Sequence, residues 1–331
     1  MKDQDQFIGQ IEQTGLYLNE RLGQHFLIDP KVISTLSNSV IGGDQVIEIG
    51  SGIGHITKAL AQRAGSVVGI EIDRWFQPYL EKTAEENEKI SFIYGDVLKM
   101  DLSRFIHPQG GTQVIANLPF HITEPFLYKL VDLRIDNAVL LLGDEAVREF
   151  EENETRLNFG KMSLVVQTFF NAHTIMPINR SSFYPQPRTD ACLVTLEPKS
   201  KKEIGSNPAD FILAELIRKE RKNGLVLNDF KQAIVELKTS PVGTSLSKRE
   251  FHQRERANTR RELRMMTSAY RGGRYQQEEV FQAGGTKIAS QADALRVIAE
   301  MGISDSVLNK PFFRLDNQDL RELVMAVRAY Y

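Results

Sequence analysis

Between residues 45 and 143, the sequence alternates short runs of β-branched and apolar residues with longer stretches of helical character. Five of the short runs predict strands: Val46–Ile49, Val67–Ile72, Ile90–Tyr94, Val114–Ala116 and Ala138–Leu142. Three of the longer stretches predict helices: Ile56–Arg63, Trp75–Glu86 and Glu124–Leu133. Near-continuous apolar strands that alternate with helices indicate a parallel sheet covered on both faces, which is a doubly wound α/β fold.

The chain changes character near Pro198. Just before it, the run Asp190–Glu197 alternates apolar and polar residues and predicts one more strand, which we expect at an antiparallel edge of the sheet. Just after it, residues 199–208 have the composition of a linker. The following segments predict helices: Phe211–Lys222, Asp229–Leu237, Lys248–Met266, Ala292–Glu300 and Leu320–Ala329.

These patterns divide the chain into three parts. We expect an N-terminal extension over residues 1–22, a ligand-binding α/β domain over residues 23–198, and a smaller helical, substrate-binding domain over residues 199–331. Residues 238–290 have the character of an insertion in the helical domain.

Charge is distributed unevenly along a chain whose formal net charge is −2. Residues 201–275 hold 17 Lys and Arg against 9 Asp and Glu. A basic module beside an acidic one suggests a polyanionic partner for the basic module.

The composition also predicts what the chain lacks. Its single cysteine, Cys192, cannot form an internal disulfide or a metal site built from several cysteines. No run of about 18 apolar residues is present, and the first ten residues do not resemble a signal peptide. We therefore expect a cytoplasmic protein with no metal and no membrane partner.

The strongest local signal is the glycine-rich sequence that follows the first predicted strand, VIEIGSGIG over residues 46–54. Glycines let a ligand approach the backbone closely, and ligands of open α/β sheets bind beyond the carboxyl ends of the strands. The spacing of Gly50, Gly52 and Gly54 is G-x-G-x-G, which does not match the pyrophosphate fingerprint G-x-G-x-x-G. Together with Glu48, a poor neighbour for phosphate, this spacing favours S-adenosylmethionine (SAM) over NAD.

Two acids at later strand ends strengthen the prediction of a cofactor site. Glu71 ends the second strand about 20 residues after the glycines, a spacing typical of a carboxylate that binds ribose hydroxyls. Asp96 follows the third strand, where its carboxylate can accept a hydrogen bond from an adenine amine.

The fourth strand ends in the tetrapeptide Asn117-Leu118-Pro119-Phe120. Methylation of an exocyclic aromatic amine requires acceptors that orient the nitrogen lone pair toward the methyl group, and it requires no strong base. The Asn117 side-chain oxygen and the Leu118 carbonyl are suitable acceptors. Pro119 would hold the turn rigid, and Phe120 would stack on the base.

With these motifs in order, the chain resembles the ribosomal RNA adenine dimethyltransferase family, which includes housekeeping small-subunit enzymes, erythromycin-resistance enzymes and mitochondrial transcription factor B proteins. The resemblance covers about residues 21–198. It rests on RLGQHFLID at residues 21–29, EIGSGIG at 48–54, NLPFHIT at 117–123 and FYPQPRTD at 183–190, with the two acids between them. It implies a Rossmann-like SAM-dependent N-methyltransferase that acts on adenine in RNA, and it leaves antibiotic resistance open as a role.

The resemblance also implies residue roles. His25 and Leu27 would hold the methionine end of SAM, and Gly50 and Gly52 would lie under the cofactor. Glu71 would bind the ribose, Asp96 the adenine, and Asn117 both methyl and amine. Phe120 and Phe183 would sandwich the target base, which would be flipped or single-stranded.

The residues leave the methyl acceptor open. We expect RNA, and ribosomal RNA first, as the partner. The alternatives are a small-molecule or peptide amine as the acceptor, or a nucleic-acid-binding role like that of transcription factor B. The stretch Lys248–Arg274 holds 9 Lys and Arg against 3 acids. On helical spacing Arg256, Arg260 and Arg264 share one face, where they would contact phosphates of the substrate.

Overall fold

The computed structural model describes residues 22–107, 109–219, 225–239 and 291–331, together with residues 8, 9, 11, 12 and 18. The chain forms two compact units, Met1–Lys199 and Ser200–Tyr331. Most of the predicted insertion, the predicted helix Lys248–Met266 and most of the predicted N-terminal extension lie outside the described residues.

The described residues of the first unit form nine strands. They are β1 (Phe26–Leu27), β2 (Gln45–Ile49), β3 (Ser66–Glu71), β4 (Ile90–Tyr94), β5 (Thr112–Asn117), β6 (Asn137–Gly143), β7 (Phe170–Ile178), β8 (Phe183–Tyr184) and β9 (Ala191–Pro198). Its helices are α1 (Pro30–Asn38), α2 (His55–Ala61), α3 (Gln77–Glu86), α4 (Phe120–Val131), α5 (Asp144–Glu151) and α6 (Lys161–Phe169).

Seven strands form one sheet in the order β4-β3-β2-β5-β6-β9-β7, and β1 pairs with β8 in a separate two-stranded ladder. The first five strands in this order, β4, β3, β2, β5 and β6, pair in parallel with their neighbours. For example, Ile49 on β2 lies opposite Ile70 on β3 and Ala116 on β5. The chain runs outward from β2 to β4 and then returns to the other side of β2 at β5. This reversal is the topological switch point at which ligands of doubly wound folds bind.

The parallel strands are almost continuously apolar because both faces of the sheet are covered. Val46, Val67 and Val139 are among the buried members of one core cluster, which also includes residues of α1 and α2 such as Leu36 and Leu60. The single cysteine, Cys192, is buried on β9. The fold is the predicted doubly wound α/β sheet.

The position of β9 differs from the prediction. It is antiparallel to β6, as expected, but it lies inside the sheet and not at its edge. The edge on this side of the sheet is β7, which the sequence pattern does not predict as a strand. It pairs antiparallel with β9, with a bulge between Thr174 and Met176.

The second unit is helical in its described part. Its helices are α7 (Lys201–Ser206), α8 (Pro208–Lys219), α9 (Val226–Thr239), α10 (Gln291–Met301), α11 (Asp305–Leu308) and α12 (Asn317–Tyr330). Helix α7 replaces the predicted linker. It begins with a capping box in which the Ser200 hydroxyl accepts from the Glu203 N–H and the Glu203 carboxylate accepts from the Ser200 N–H, at 3.2 and 2.7 Å.

The described residues show neither a helix suited to a membrane nor a multi-residue metal cluster. None of their helices is both long and apolar enough to cross a membrane. They also contain no group of three or more His, Cys, Asp or Glu side chains that could hold a metal ion.

Candidate active site

Four predicted site residues converge at the carboxyl edge of the parallel strands. Gly50 follows β2, Glu71 ends β3, Asp96 lies two residues beyond β4, and Asn117 ends β5. Because β4, β3, β2 and β5 are neighbours in the sheet, these residues follow one another along a single edge.

The glycine-rich turn lies directly beside the predicted catalytic strand end. Gly50, Gly52 and Gly54 all have positive φ, at 79°, 52° and 81°. Among the atoms of the described residues, a Cβ atom on Gly50 would meet only the Asn117 carbonyl oxygen within 4 Å, at 3.6 Å. A Cβ atom on Gly52 would lie 3.0 Å from the Phe26 ring. The turn therefore leaves backbone surface open beside Asn117 and is itself in close contact with β1.

The Glu71 carboxylate is held by two backbone N–H groups. Gly52 N–H donates to Oε2 and Asp73 N–H donates to Oε1, both at 2.8 Å. Burial raises the pKa of Glu71, and these two hydrogen bonds oppose the rise. Each carboxylate oxygen accepts one of these bonds and has capacity for a second, so the pair can also receive ribose hydroxyls.

Asp96 is oriented by the turn that follows β4. Its Oδ1 atom accepts from the Leu98 N–H at 3.0 Å, and its Oδ2 atom lies 3.2 Å from the Lys99 ammonium. The side chain remains 28% exposed, which leaves it accessible to a ligand.

Asn117 is oriented by a backbone carbonyl. Its Nδ2 atom donates to the carbonyl oxygen of His25 at 3.0 Å. This bond identifies the nitrogen end of the amide and directs Oδ1 to the opposite side, where it can accept from an amine. The rest of the tetrapeptide continues from the strand into α4: Leu118 is buried and its N–H donates to the Leu141 carbonyl at 3.3 Å, Pro119 packs against Gly23, and Phe120 begins the helix. The Phe120 side chain lies outside the described part of the chain.

Residues 24–27 form a segment that we call the strap, which makes four hydrogen bonds to four separate parts of the first unit. Gln24 Nε2 donates to Asp73 at 2.8 Å. The backbone carbonyl of His25 receives Asn117, and its ring Nδ1 donates to the Pro185 carbonyl at 2.7 Å. The Leu27 carbonyl accepts from His55 Nε2 at 2.9 Å.

Two residues of the strap, His25 and Leu27, connect it to other elements of the first unit. His25 links the end of β5 to the segment after β8, in addition to any contact with SAM. The Leu27 side chain is fully buried in the core, so its carbonyl is the group that the strap presents to α2.

His55 was not singled out from the sequence. Burial lowers its pKa to about 4, so its imidazole is neutral at neutral pH and Nε2 carries the proton that binds Leu27. Its ring also meets Phe26 edge-on, with centroids 5.9 Å apart. The only signal in the sequence was its position directly after the last glycine of the turn.

Two distant segments of the family pattern pair with each other in the β1–β8 ladder. Phe26 lies opposite Tyr184, and Leu27 lies opposite Phe183. Phe183 is only 4% exposed and belongs to the core cluster that contains Leu27. The structure thus places Phe183 beside the strap and largely out of reach of a stacked base, and its role in base binding stays a prediction.

Glu48 is a second buried acid of this region. It lies on β2, is 2% exposed and accepts a hydrogen bond from the Thr57 hydroxyl of α2. Burial raises its pKa to about 7, and the nearby Glu71 carboxylate contributes to the rise.

The predicted substrate residues Arg256, Arg260 and Arg264 lie outside the described residues.

Comparison with known sequences gives a consistent result. Residues 15–262 match the family described as ribosomal RNA adenine dimethylase. The ribosomal RNA small subunit methyltransferase A of Alkaliphilus metalliredigens is 29% identical over 259 residues, which cover 75% of this chain and 90% of that protein. The protein of the same name from Anoxybacillus flavithermus is 32% identical over 212 residues, which cover 62% of this chain and 72% of that protein.

A solved structure shares the fold. The crystal structure of a dimethyladenosine transferase from Plasmodium falciparum matches with a TM-score of 0.51 at 21% sequence identity, over 91% of this chain and 97% of that chain.

Proposed function

The chain belongs to the ribosomal RNA adenine dimethylase family, and from that premise we propose that it transfers methyl groups from SAM to the exocyclic amine of an adenine in small-subunit ribosomal RNA. The observation that carries the proposal is the position of Asn117. Its amide is oriented by His25, and its backbone carbonyl lies beside Gly50 of the cofactor turn. The names of the related small-subunit methyltransferases support the choice of RNA.

The residues present fit SAM. The exposed backbone at Gly50 gives a ligand room to lie against the turn, Glu71 offers two carboxylate oxygens to a ribose, and Asp96 offers a partly exposed carboxylate to an adenine amine. The Glu71 carboxylate, which accepts two backbone hydrogen bonds, also suits a cationic cofactor and is unsuited to a phosphate. When bound, SAM supplies an electrophilic methyl group.

The chain's own residues would orient the acceptor amine. The Asn117 Oδ1 and the Leu118 carbonyl accept hydrogen bonds from the two N–H groups of adenine, which draws the nitrogen lone pair out of conjugation with the ring and aims it at the methyl group. The neutral amine would attack the methyl carbon as the bond between that carbon and the SAM sulfur breaks, and S-adenosylhomocysteine would leave. The methylated nitrogen would then lose its extra proton to solvent, so no strong base is required. Rate then depends on the alignment of the reacting atoms, to which the His25–Asn117 hydrogen bond contributes.

A methyl-transfer assay tests this proposal. The protein is incubated with isotopically labelled SAM and small-subunit ribosomal RNA, free or in subunit precursors, and digested nucleosides are analysed by mass spectrometry. We expect label in mono- and dimethyladenosine. A panel of small amines and peptides assayed in parallel tests the alternative acceptor, and label only in those compounds would contradict the proposal.

Asn117→Ala tests the chemical step. We expect turnover to fall by about tenfold to a hundredfold, because a misplaced amine loses the geometry of attack. SAM affinity should fall much less. Asn171→Ala, at an exposed position on the edge strand β7, is the matched control and should retain turnover. Normal turnover in Asn117→Ala would reduce Asn117 to a structural residue at the strand end.

A further inference from the structure

The described residues nearest the N-terminus lie ahead of the family match and still reach the candidate cofactor site. The match begins at residue 15, so Ile8, Ile11 and Glu12 precede it. Ile11 is nevertheless only 3% exposed. The burial of Ile11 therefore involves residues that the family match does not cover.

Ile11 is buried in an apolar cluster at the edge of the site. The cluster contains Ile11, Phe26, Ile28, Phe76 and Leu80, with Ile8, Leu18, Ile53, Phe92, Tyr94 and Tyr184 packed against it. Three of these residues adjoin site groups: Ile53 lies in the glycine-rich turn, Tyr94 ends β4 just before Asp96, and Phe26 is part of the strap.

Phe26 connects this apolar cluster to the glycine-rich turn. Its ring edge lies 3.0 Å from the position that a Cβ atom on Gly52 would occupy, and Gly52 N–H donates to Glu71. The other sides of the ring meet Phe76 and His55 edge-on, with centroids 5.8 and 5.9 Å apart. A shift of the Phe26 ring would therefore also shift Gly52 and the Glu71 carboxylate that is hydrogen-bonded to it.

A hydrogen bond ties the same segment to the opposite strand of the ladder. The Tyr184 hydroxyl donates to Glu12 Oε1 at 2.8 Å, and this bond raises the pKa of Tyr184. Tyr184 lies opposite Phe26 in the β1–β8 ladder and directly precedes Pro185, whose carbonyl receives His25. Ile11 thus shares an apolar cluster with Phe26 of β1, and Glu12 accepts a hydrogen bond from Tyr184 of β8.

We propose that Ile11 and Glu12 are positioning residues for the cofactor site, which hold the β1–β8 ladder against the glycine-rich turn through Phe26 and Tyr184. The inference rests on the proposed function only in that the turn binds SAM. Neither residue touches the cofactor in this scheme, and both act by fixing the residues that do.

SAM affinity, measured by calorimetry on the full chain without RNA, tests the proposal. Glu12→Ala and Tyr184→Phe should each weaken SAM binding by about two- to tenfold, the range for one lost hydrogen bond. Because they remove the same bond, the double variant should be no weaker than either single variant. Glu12→Gln keeps an acceptor for the tyrosine hydroxyl and should restore affinity, which a role in charge or folding alone would not predict. Ile11→Ala should weaken SAM binding as well.

The second unit offers a matched control. The Tyr330 hydroxyl donates to Glu300 Oε2 at 2.9 Å, and Tyr330→Phe removes the same kind of bond without an expected change in SAM affinity. Thermal unfolding of each variant establishes that it is folded at the assay temperature. Wild-type affinity in Glu12→Ala and Tyr184→Phe, beside a wild type that binds SAM, would overturn the inference and leave the proposed function in place. A wild type that binds no SAM would contradict the proposed function itself, and the inference with it.

Discussion

Glu48 illustrates how a single buried carboxyl links the cofactor site to the stability of the fold. Its folded-state pKa is raised from 4.5 to about 7. Between these two pH values, the folded protein therefore holds a proton on Glu48 that the unfolded chain has lost. Its contribution to stability is therefore complete below about pH 4.5 and is lost as pH rises through about 7. His55 acts in the opposite direction, because its lowered pKa means that stability is lost as pH falls from about 6.5 toward 4.

Glu48→Gln isolates the first of these effects. The amide is neutral at every pH and can still accept from Thr57, so the variant should lack the loss of stability that the wild type shows between about pH 4.5 and 7. We expect the difference in unfolding free energy between the two proteins to change by about 2–3 kcal/mol from pH 4.5 to 8. Urea unfolding at several pH values measures it, with Glu85→Gln as the control at an exposed site. Parallel pH curves for wild type and Glu48→Gln would show that Glu48 ionises normally.

At the scale of elements, the parallel strands were predictable because burial on both faces makes each of them a continuous apolar run. Strand β4 was predicted with its observed bounds, and the others differ by one or two residues at either end. The edge strand β7 could not be recognised because it shows no such run. Five consecutive residues, Asn171–Ile175, are exposed, and Pro177 lies within the strand. Its strand conformation depends on pairing with β9, and the sequence of β7 itself contains no sign of that pairing.

The same limit applies to the candidate site. The strand-end residues followed from spacing along the chain, since parallel strands end at a common edge. The contacts of the strap could not be predicted in this way, because His25 and Asn117 are 92 residues apart. Their hydrogen bond also uses the backbone carbonyl of His25, a group that every residue has. Helix α7 was missed for a different reason: its glycine and serine residues suggested a linker, and the capping box of Ser200 and Glu203 outweighed them.

Helix α2 depends on the glycine that caps it, which gives a prediction about packing. Gly54 has φ 81°, and a Cβ atom there would lie 3.1 Å from Thr83 Oγ1 and 3.2 Å from Leu80 Cδ2, both on α3. Gly54→Ala should therefore combine left-handed backbone strain, about 1–2 kcal/mol, with crowding between α2 and α3. Gly43 has φ 90° and no atom within 4 Å of its Cβ position, so Gly43→Ala carries the backbone strain alone.

Chemical denaturation of both variants separates the two contributions. We expect Gly54→Ala to be the less stable of the two and to bind SAM more weakly, since the helix begins directly after the cofactor turn. Equal destabilisation would mean that α3 moves aside without cost.

At the scale of the whole molecule, the uneven distribution of charge remains the main guide to the substrate. The basic excess of residues 201–275 suits a polyanion, whereas the rest of the chain is acidic. RNA binding through this region should release counterions, so affinity should fall steeply as salt rises.

Replacement of Arg256, Arg260 and Arg264 by glutamine tests this expectation. If these residues contact phosphates, the slope of log affinity against log salt should flatten by up to about 2, at roughly 0.7 per contact with a single strand. Glutamine at Arg63, Arg104 and Arg148, three exposed arginines of the first unit, removes the same charge elsewhere and should preserve the slope. Equal slopes in wild type and the first variant would exclude these three residues as RNA contacts.

The pairing of β1 with β8 has a consequence for how the protein is made. All four strand-end residues precede β6 in the chain, yet β8, the partner of β1, is encoded some 157 positions after β1. A nascent chain that stops after β6 would carry Glu71 and Asn117 on a partial sheet whose strap has lost its Pro185 and Phe183 contacts. Complete assembly of the site therefore waits until the chain has been translated through β8, which makes it one of the last parts of the first unit to form.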